Sequence, residues 1–288
     1  SSINERIKRV MAYTAIDKSS LHFNTKIYTG NSGTNALTGI GFQPDMVWMK
    51  STSATTDHVI QDAIRGVTKE IRPNKTDYED TASNGITAFG TDGFTLGDWS
   101  VVNNNSASYA SWSWKGGTTS VPSGGSITPT AVNYNATSGF GMYKYTGTGA
   151  AGTIAHGLGV APQWIFVKQI AGTQAANFGV YHIANGIKRL ELNTSNATST
   201  DNGDWNSTAA TSTLFSLGDD GTDTNGSSKT YIAYAFAPKT GFSKFGSYLG
   251  DGNQYGPFIY CGFKPAFVII KKVTGSTANW VMTDKFYY

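Results

Sequence analysis

The sequence predicts an all-β protein of tandem β-sandwich modules preceded by a short N-terminal helix, and three observations carry that prediction. A ten-residue phrase is written three times, as GFQPDMVWMK at 41–50, GVAPQWIFVK at 159–168 and GFKPAFVIIK at 262–271. Around each copy, bulky residues alternate with small or polar ones over five to seven positions, the period of a half-buried strand. Charged residues make up only 14% of the chain while glycine reaches 34 residues, a composition suited to short strands and tight turns.

Residues 1–20 differ from everything after them. Ile3, Ile7 and Val10 fall at the spacing of one helix face, so a docking or oligomerising helix is expected there. The first strand follows at Phe23 to Tyr28, recurs at Phe140 to Tyr145 and again at Phe242 to Tyr248, and each time a glycine closes it two residues on. Those tyrosines stand 16 or 17 residues before Pro44, Pro162 and Pro265. A proline lacks a ladder donor and marks where the next strand begins. The apolar run after it, such as Met46 to Met49, suits a strand covered on both faces.

Three lysines, Lys50, Lys168 and Lys271, end that run at one shared position; strand-end lysines of this kind keep their ammonium in water while shielding the sheet. Eight to ten residues later come HVIQD, FGVYH and WVMTD, each a further strand of period two. Two copies continue to Phe94–Gly97 and Phe215–Gly218, then to YASWSWK at 109–115 and YIAYAFA at 231–237. In that last pair Trp112 and Trp114 align with Tyr234 and Phe236, while Ser111 and Ser113 align with Ala233 and Ala235. One face therefore fills a core and the other admits a close neighbour.

A period of 100 to 120 residues suits whole sandwiches of five or more strands. The expected division is a docking segment at 1–20, module 1 at 21–117, a Gly/Ser/Thr/Pro-rich linker at 118–138, module 2 at 139–239 and a partial module 3 at 240–288. Forty-nine residues cannot bury the apolar strand AFVII alone. It must rest on further chain, an adjacent module or another subunit.

The net charge of +3 is spread along the chain, which argues against a nucleic-acid partner. The single cysteine, Cys261, excludes an intrachain disulfide. No apolar run approaches a membrane span, so no membrane insertion is expected. Histidines and carboxylates form no catalytic constellation: His58 and His182 occupy analogous strands where other copies hold other residues, and His156 reads as a solvated loop residue. Catalytic residues are accordingly expected to be none.

Two sets of binding candidates remain. Trp99, Trp205 and Tyr255 fall in polar or glycine-rich segments, where an aromatic ring either stacks on a sugar or anchors its own loop. Asp219, Asp220, Asp223 and Asn225 in the loop DDGTDTNGSS are hard oxygen donors for weak calcium binding, against the alternative of an ordinary Asx-rich loop. The loop lacks the EF-hand pattern, and the matching loop of module 1, SVVNNNSAS, has no acid cluster. No other cofactor is implied.

With YTGN, GFQPDMVWMK, RGVTKEI, GITAFGTDGFTLG and SYASWSWKGG in order, module 1 resembles a repeated domain of unknown function found in virion proteins of marine tailed bacteriophages, cyanophages among them. Module 2 and the partial module look like further copies. The resemblance implies sandwiches of lectin-like or jelly-roll type in a non-enzymatic virion protein, made in the host cytoplasm and carried on the tail or capsid surface. A tail fibre or receptor-binding component is expected, a homotrimer attaching to host-surface glycans. The alternative is a capsid decoration or tail-structural protein that binds other virion proteins. In that family the module runs on past WVMTD, so the third copy is expected to be truncated or completed by a neighbour.

Overall fold

The computed structural model describes residues 13–172, 175–199, 203–219 and 222–286. The N-terminal helix expected on Ile3, Ile7 and Val10 lies outside the described residues. The first recurring strand and its successors form where alternation placed them: β1 (Phe23–Thr29), β2 (Asn35–Leu37), β3 (Met46–Ser51), β4 (Val59–Asp62), β5 (Lys69–Ile71), β6 (Asp80–Thr81), β7 (Ile86–Gly90), β8 (Gly93–Leu96) and β9 (Ser108–Trp114), with one short helix α1 (Ser100–Asn103). The chain continues through β10 (Ala131–Asn135), β11 (Phe140–Thr146), β12 (Gly152–Ala155), β13 (Trp164–Ala171), β14 (Phe178–His182), β15 (Leu190–Glu191), β16 (Leu214–Leu217) and β17 (Thr230–Phe236) to the hairpin β18 (Phe267–Ile270) and β19 (Val281–Asp284).

Every sheet is antiparallel. One six-stranded sheet runs β1-β9-β3-β4-β5-β6 and the other β10-β11-β17-β13-β14-β15. Small sheets, β2-β8-β7 and β12-β16, belong one to each half. The registers match between halves: Met46 faces Trp114 and Trp48 faces Trp112, as Trp164 faces Phe236 and Phe166 faces Tyr234.

Alternation sorts the side chains into three cores. Val47 and Met49 point inward with Tyr28, Phe94 and Leu96, and Ile165 and Val167 do the same with Tyr145, Phe215 and Ala233. Met46, Trp48, Trp112 and Trp114 point the other way, where they meet Trp164, Phe166, Tyr234 and Phe236. The two large sheets thus pack bulky face to bulky face, with Trp48 edge-on to Phe166 at 6.1 Å between centroids. At about 1.5–3 kcal/mol per buried large side chain, this shared layer is a principal source of stability.

Each half is also locked by a buried asparagine. Asn103 Nδ2 donates to the carbonyls of Gly33 and Gly97, while its Oδ1 accepts from the Asn31 amide. Asn225 repeats this on Ala150, Gly218 and Thr148. Beside each clamp two tyrosines stack, Tyr28 on Tyr109 and Tyr145 on Tyr231. Gly30 and Gly147 are required here, because a Cβ at either would run into the backbone of the clamping loop at 2.1 and 2.3 Å.

Two expectations need correction. The stretch 118–138 is more than a linker: Ala131–Asn135 adds β10 to the edge of the second large sheet. Residues 242–248 form no strand. Their counterparts β1 and β11 pair with β9 and β17, and no strand of that kind lies beside β18.

Candidate binding site

The three copies of the repeated phrase meet around the shared core in a cyclic order. Tyr234 of the second copy donates its hydroxyl to Asp62 of the first, at 2.5 Å. Trp112 of the first donates Nε1 to Asp284 of the third, at 2.9 Å. Asp62 and Asp284 are equivalent residues, and the same place in the second copy is held by His182. Asp62 also binds the fully buried Arg65, whose Nε lies 2.5 Å away. Burial works against the charge on Arg65, but the adjoining Asp62 carboxylate wins and holds the guanidinium protonated. Burial pushes the Tyr234 hydroxyl well above its ordinary value, so it stays a donor.

Two junctions between copies are closed in the same way. Where the second meets the first, Lys168 Nζ donates to the carbonyls of Thr76 and Ala176, and the Glu79 amide donates to Ile170. Where the third meets the second, Lys271 Nζ donates to Ala278, the Thr198 amide to Val273, and Trp280 Nε1 to Glu191. Lys168 is 0% exposed, against the expectation of a strand-end lysine with its head in water. The neighbouring copy covers it, and burial lowers its pKa to about 8.

The counterparts of these residues in the first copy are Lys50, Thr52 and His58, and there the junction is open. They line a cavity of about 980 Å³ together with Trp48, Trp112, Trp280 and Asp284, and its far wall is Leu192 to Asn196. Three tryptophans, Trp48, Trp112 and Trp280, supply its aromatic surface, and Asn74, Thr52, Asn279 and Thr283 are among its polar groups. His58 Nδ1 accepts from Trp48 Nε1 at 3.0 Å. Burial, helped by Lys50, pushes His58 down to about 4, so the ring is neutral at pH 7. Asp284 is engaged by Trp112 and by the Phe286 amide. His58 and Asp284 on this wall are thus already engaged in hydrogen bonds of the fold.

The residues singled out from sequence lie apart from this cavity. Trp99 packs at the margin of the first core with the Arg72 guanidinium over its ring. Trp205 is 1% exposed and edge-on to Tyr181, so its face is closed to any sugar. Tyr255 is 88% exposed. His156 is buried rather than solvated, with Nε2 3.1 Å from the Thr211 carbonyl and Nδ1 accepting from the Leu158 amide.

The acidic loop turns its donors inward. Asp223 pairs with Arg189 and accepts from the Asn177 amide, while Asn225 is the clamp described above. Asp219 is exposed and Asp220 lies outside the described residues. Among the described residues no three His, Cys, Asp or Glu are grouped to hold a metal ion. The calcium candidate therefore loses Asp223 and Asn225, because both are consumed by internal hydrogen bonds.

Trp48, Trp112, Lys50 and His58 did not stand out as a site in the sequence because each has an ordinary core, strand or strand-end counterpart in another copy. One signal was present. His58, Phe178 and Trp280 share a position, and the first copy has a histidine where the others have an aromatic; His58 and Trp280 both line the cavity. The clamp had a signal too, since Asn103 and Asn225 are the asparagine common to both aligned loops.

Fold and cavity together define an all-β protein of packed antiparallel sheets with a cleft between copies of one motif. The chain belongs to the family described as domain of unknown function (DUF7483), whose model matches residues 18–286 in a single span. Comparison with curated proteins gives no match, and neither does comparison with solved structures. Among the described residues no helix is long and apolar enough to cross a membrane.

Proposed function

We propose that this is a non-enzymatic bacteriophage virion protein, a tail-fibre or receptor-binding component built of tandem β-sandwich modules, which attaches to host-surface glycans and works as a homotrimer on the virion. The observation that carries the reading is the cavity between copies. Trp280 offers a half-buried aromatic face, and Asn74, Thr52, Asn279 and Thr283 offer amides and hydroxyls around it, the mixture that sugar rings require. His58 and Asp284 are held in structural hydrogen bonds, which favours binding over acid–base chemistry. Presentation on an oligomer would multiply weak single contacts by avidity.

A glycan array probed with the full chain tests this. Reproducible binding to a defined sugar class, weakened about tenfold or more in Trp280→Ala with an unchanged circular dichroism spectrum, supports it. Absence of binding to any host-envelope glycan sinks it. A second reading, a capsid decoration or tail-structural protein that binds other virion proteins, is favoured by the exposed apolar residues Leu249, Tyr255, Phe258 and Tyr260.

A further inference from the structure

The fold seals one of the three repeated lysines. Lys168 is 0% exposed, whereas Lys50 and Lys271 are half-buried and donate to carbonyls of their own copies, at Ser51 and Ala54 and at Ala278. The Lys168 ammonium is met by the Ala176 carbonyl at 2.5 Å, by the Thr76 carbonyl of the first copy at 2.8 Å, and by the Phe178 ring with its centroid 5.0 Å away. None of these carries a negative charge. Asp223, already paired with Arg189, and Asp77 act on it from beyond ion-pair distance. A buried ammonium without a close counterion pulls against whatever covers it.

The cover is thin. Thr76 lies in the stretch 72–79 that joins β5 to β6, where Asn74, Thr76 and Asp77 are exposed. Arg72 fastens one end to Asp57 and Glu70. Glu79 fastens the other to Arg65, and its amide reaches the Ile170 carbonyl. Between these ends the Thr76 carbonyl holds the stretch to the second copy. Lifting residues 74–78 would hydrate Lys168 without breaking a rung of the β4–β5 or β5–β6 ladders. Pro73 and Asn74 also line the cavity, so the movement would loosen its wall.

We propose that residues 73–79 are a proton-gated strap, lifting from Lys168 when its amine is charged and closing on it when the amine is neutral. Closure holds Lys168 near 8, while the hydrated side chain has its ordinary 10.5. The open strap therefore binds the proton more tightly, so opening is most favoured below about 8 and is lost as pH rises toward about 10. The other charged and titratable groups around the lysine are Asp77 and Tyr78 on the strap, Asp223 beyond it, and Tyr231 on β17, which is pushed up to about 12 and keeps its proton over this range. The inference is independent of whether the cavity binds a glycan.

Trypsin reads the opening, because Lys75–Thr76 is a cleavable bond at the centre of the strap and Arg72 is protected by Pro73. The full chain is digested at a series of pH values from about 7.5 to about 9.5, and each rate is divided by that of the synthetic peptide EIRPNKTDYEDTA, residues 70–82. The expected result is a single early nick after Lys75, absent in Lys75→Gln, whose normalised rate falls roughly 20-fold across that range. Lys168→Met should nick slowly, with a normalised rate that does not change with pH. A wild-type nick that keeps its rate as pH rises overturns the proposal, as does an equal fall in Lys168→Met. Should Lys168→Met not fold, the wild-type digest still decides: cuts that appear together throughout the chain report global unfolding and overturn the strap.

Discussion

β13 and β18 carry the same phrase and end in different surroundings. In the second copy Trp164, Phe166 and Lys168 are buried, with a strand on each side. In the third, Phe267 to Ile270 are all half-buried, with one strand beside them. The local sequence is equally apolar in both, so the difference comes from β17, which lies some sixty residues downstream of β13. A strand of this kind becomes core when its neighbour arrives, and the neighbour is a long-range partner.

The comparison can be broken most forcefully at the junction of the first two copies. Asp62→Ala removes the closer of the two carboxylates that pair with buried Arg65, leaving Glu79 at 3.4 Å, and deprives Tyr234 of its acceptor, and should cost about 3–5 kcal/mol in urea denaturation. The equivalent change at Asp284, which has no buried arginine, should cost less. Equal losses would mean that the two junctions are not distinguished by burial of charge.

Phe166→Ala and Ile269→Ala probe the two strands directly. The first empties a fully buried site and should cost about 3–5 kcal/mol, while the second should cost about 1–2 kcal/mol because Ile269 is half-buried and packed on one side. If Ile269→Ala proves as damaging as Phe166→Ala, the third hairpin is more completely covered in solution than β18 with one neighbour allows.

Lysine burial gives a pH signature. The folded state holds Lys168 near 8 while the ordinary value is 10.5, so between these values the unfolded chain binds a proton that the folded chain does not. Stability should therefore rise as pH is raised from about 8 toward about 10, by about 2 kcal/mol, before tyrosines begin to ionise in the unfolded chain. Lys168→Met should flatten most of that rise, and Lys50→Met, removing an ammonium that burial also holds down, should reduce it less. The sign is the same for His58, held near 4 against 6.5: stability falls as pH drops from about 6.5 to about 4, and His58→Gln should reduce the slope.

The smallest effect belongs to the closed junction of the third copy. Trp280→Phe keeps the ring and removes the bond to the Glu191 carbonyl, which should cost about 1 kcal/mol by thermal denaturation. A larger loss would indicate that Trp280 organises more of the cavity wall than one hydrogen bond.

Much of the fold was legible because strand identity is a local property. Alternation and the proline placed β1, β3, β4, β8, β9 and their counterparts, and the pairing of Trp112 and Trp114 with Tyr234 and Phe236 identified the bulky face before any contact was known. Short strands such as β2, β5 and β12 were missed, since three or four residues carry too little period to read. For Trp205 the sequence left sugar stacking and loop anchoring open, because its polar neighbours Asn206 and Ser207 say nothing about Tyr181, which covers it from another element.

The sequence by itself determined the repeated phrase, the strand positions and which side chains share a face, because a two-residue period is imposed by the backbone. Only the tertiary structure decided what each face meets: that the bulky faces of both large sheets cover one another, that Lys168 is sealed while Lys50 opens on a cavity, and that β18 has β19 alone beside it among the described residues. Pairing and burial depend on segments far apart in the chain, and the same ten residues accept more than one set of partners.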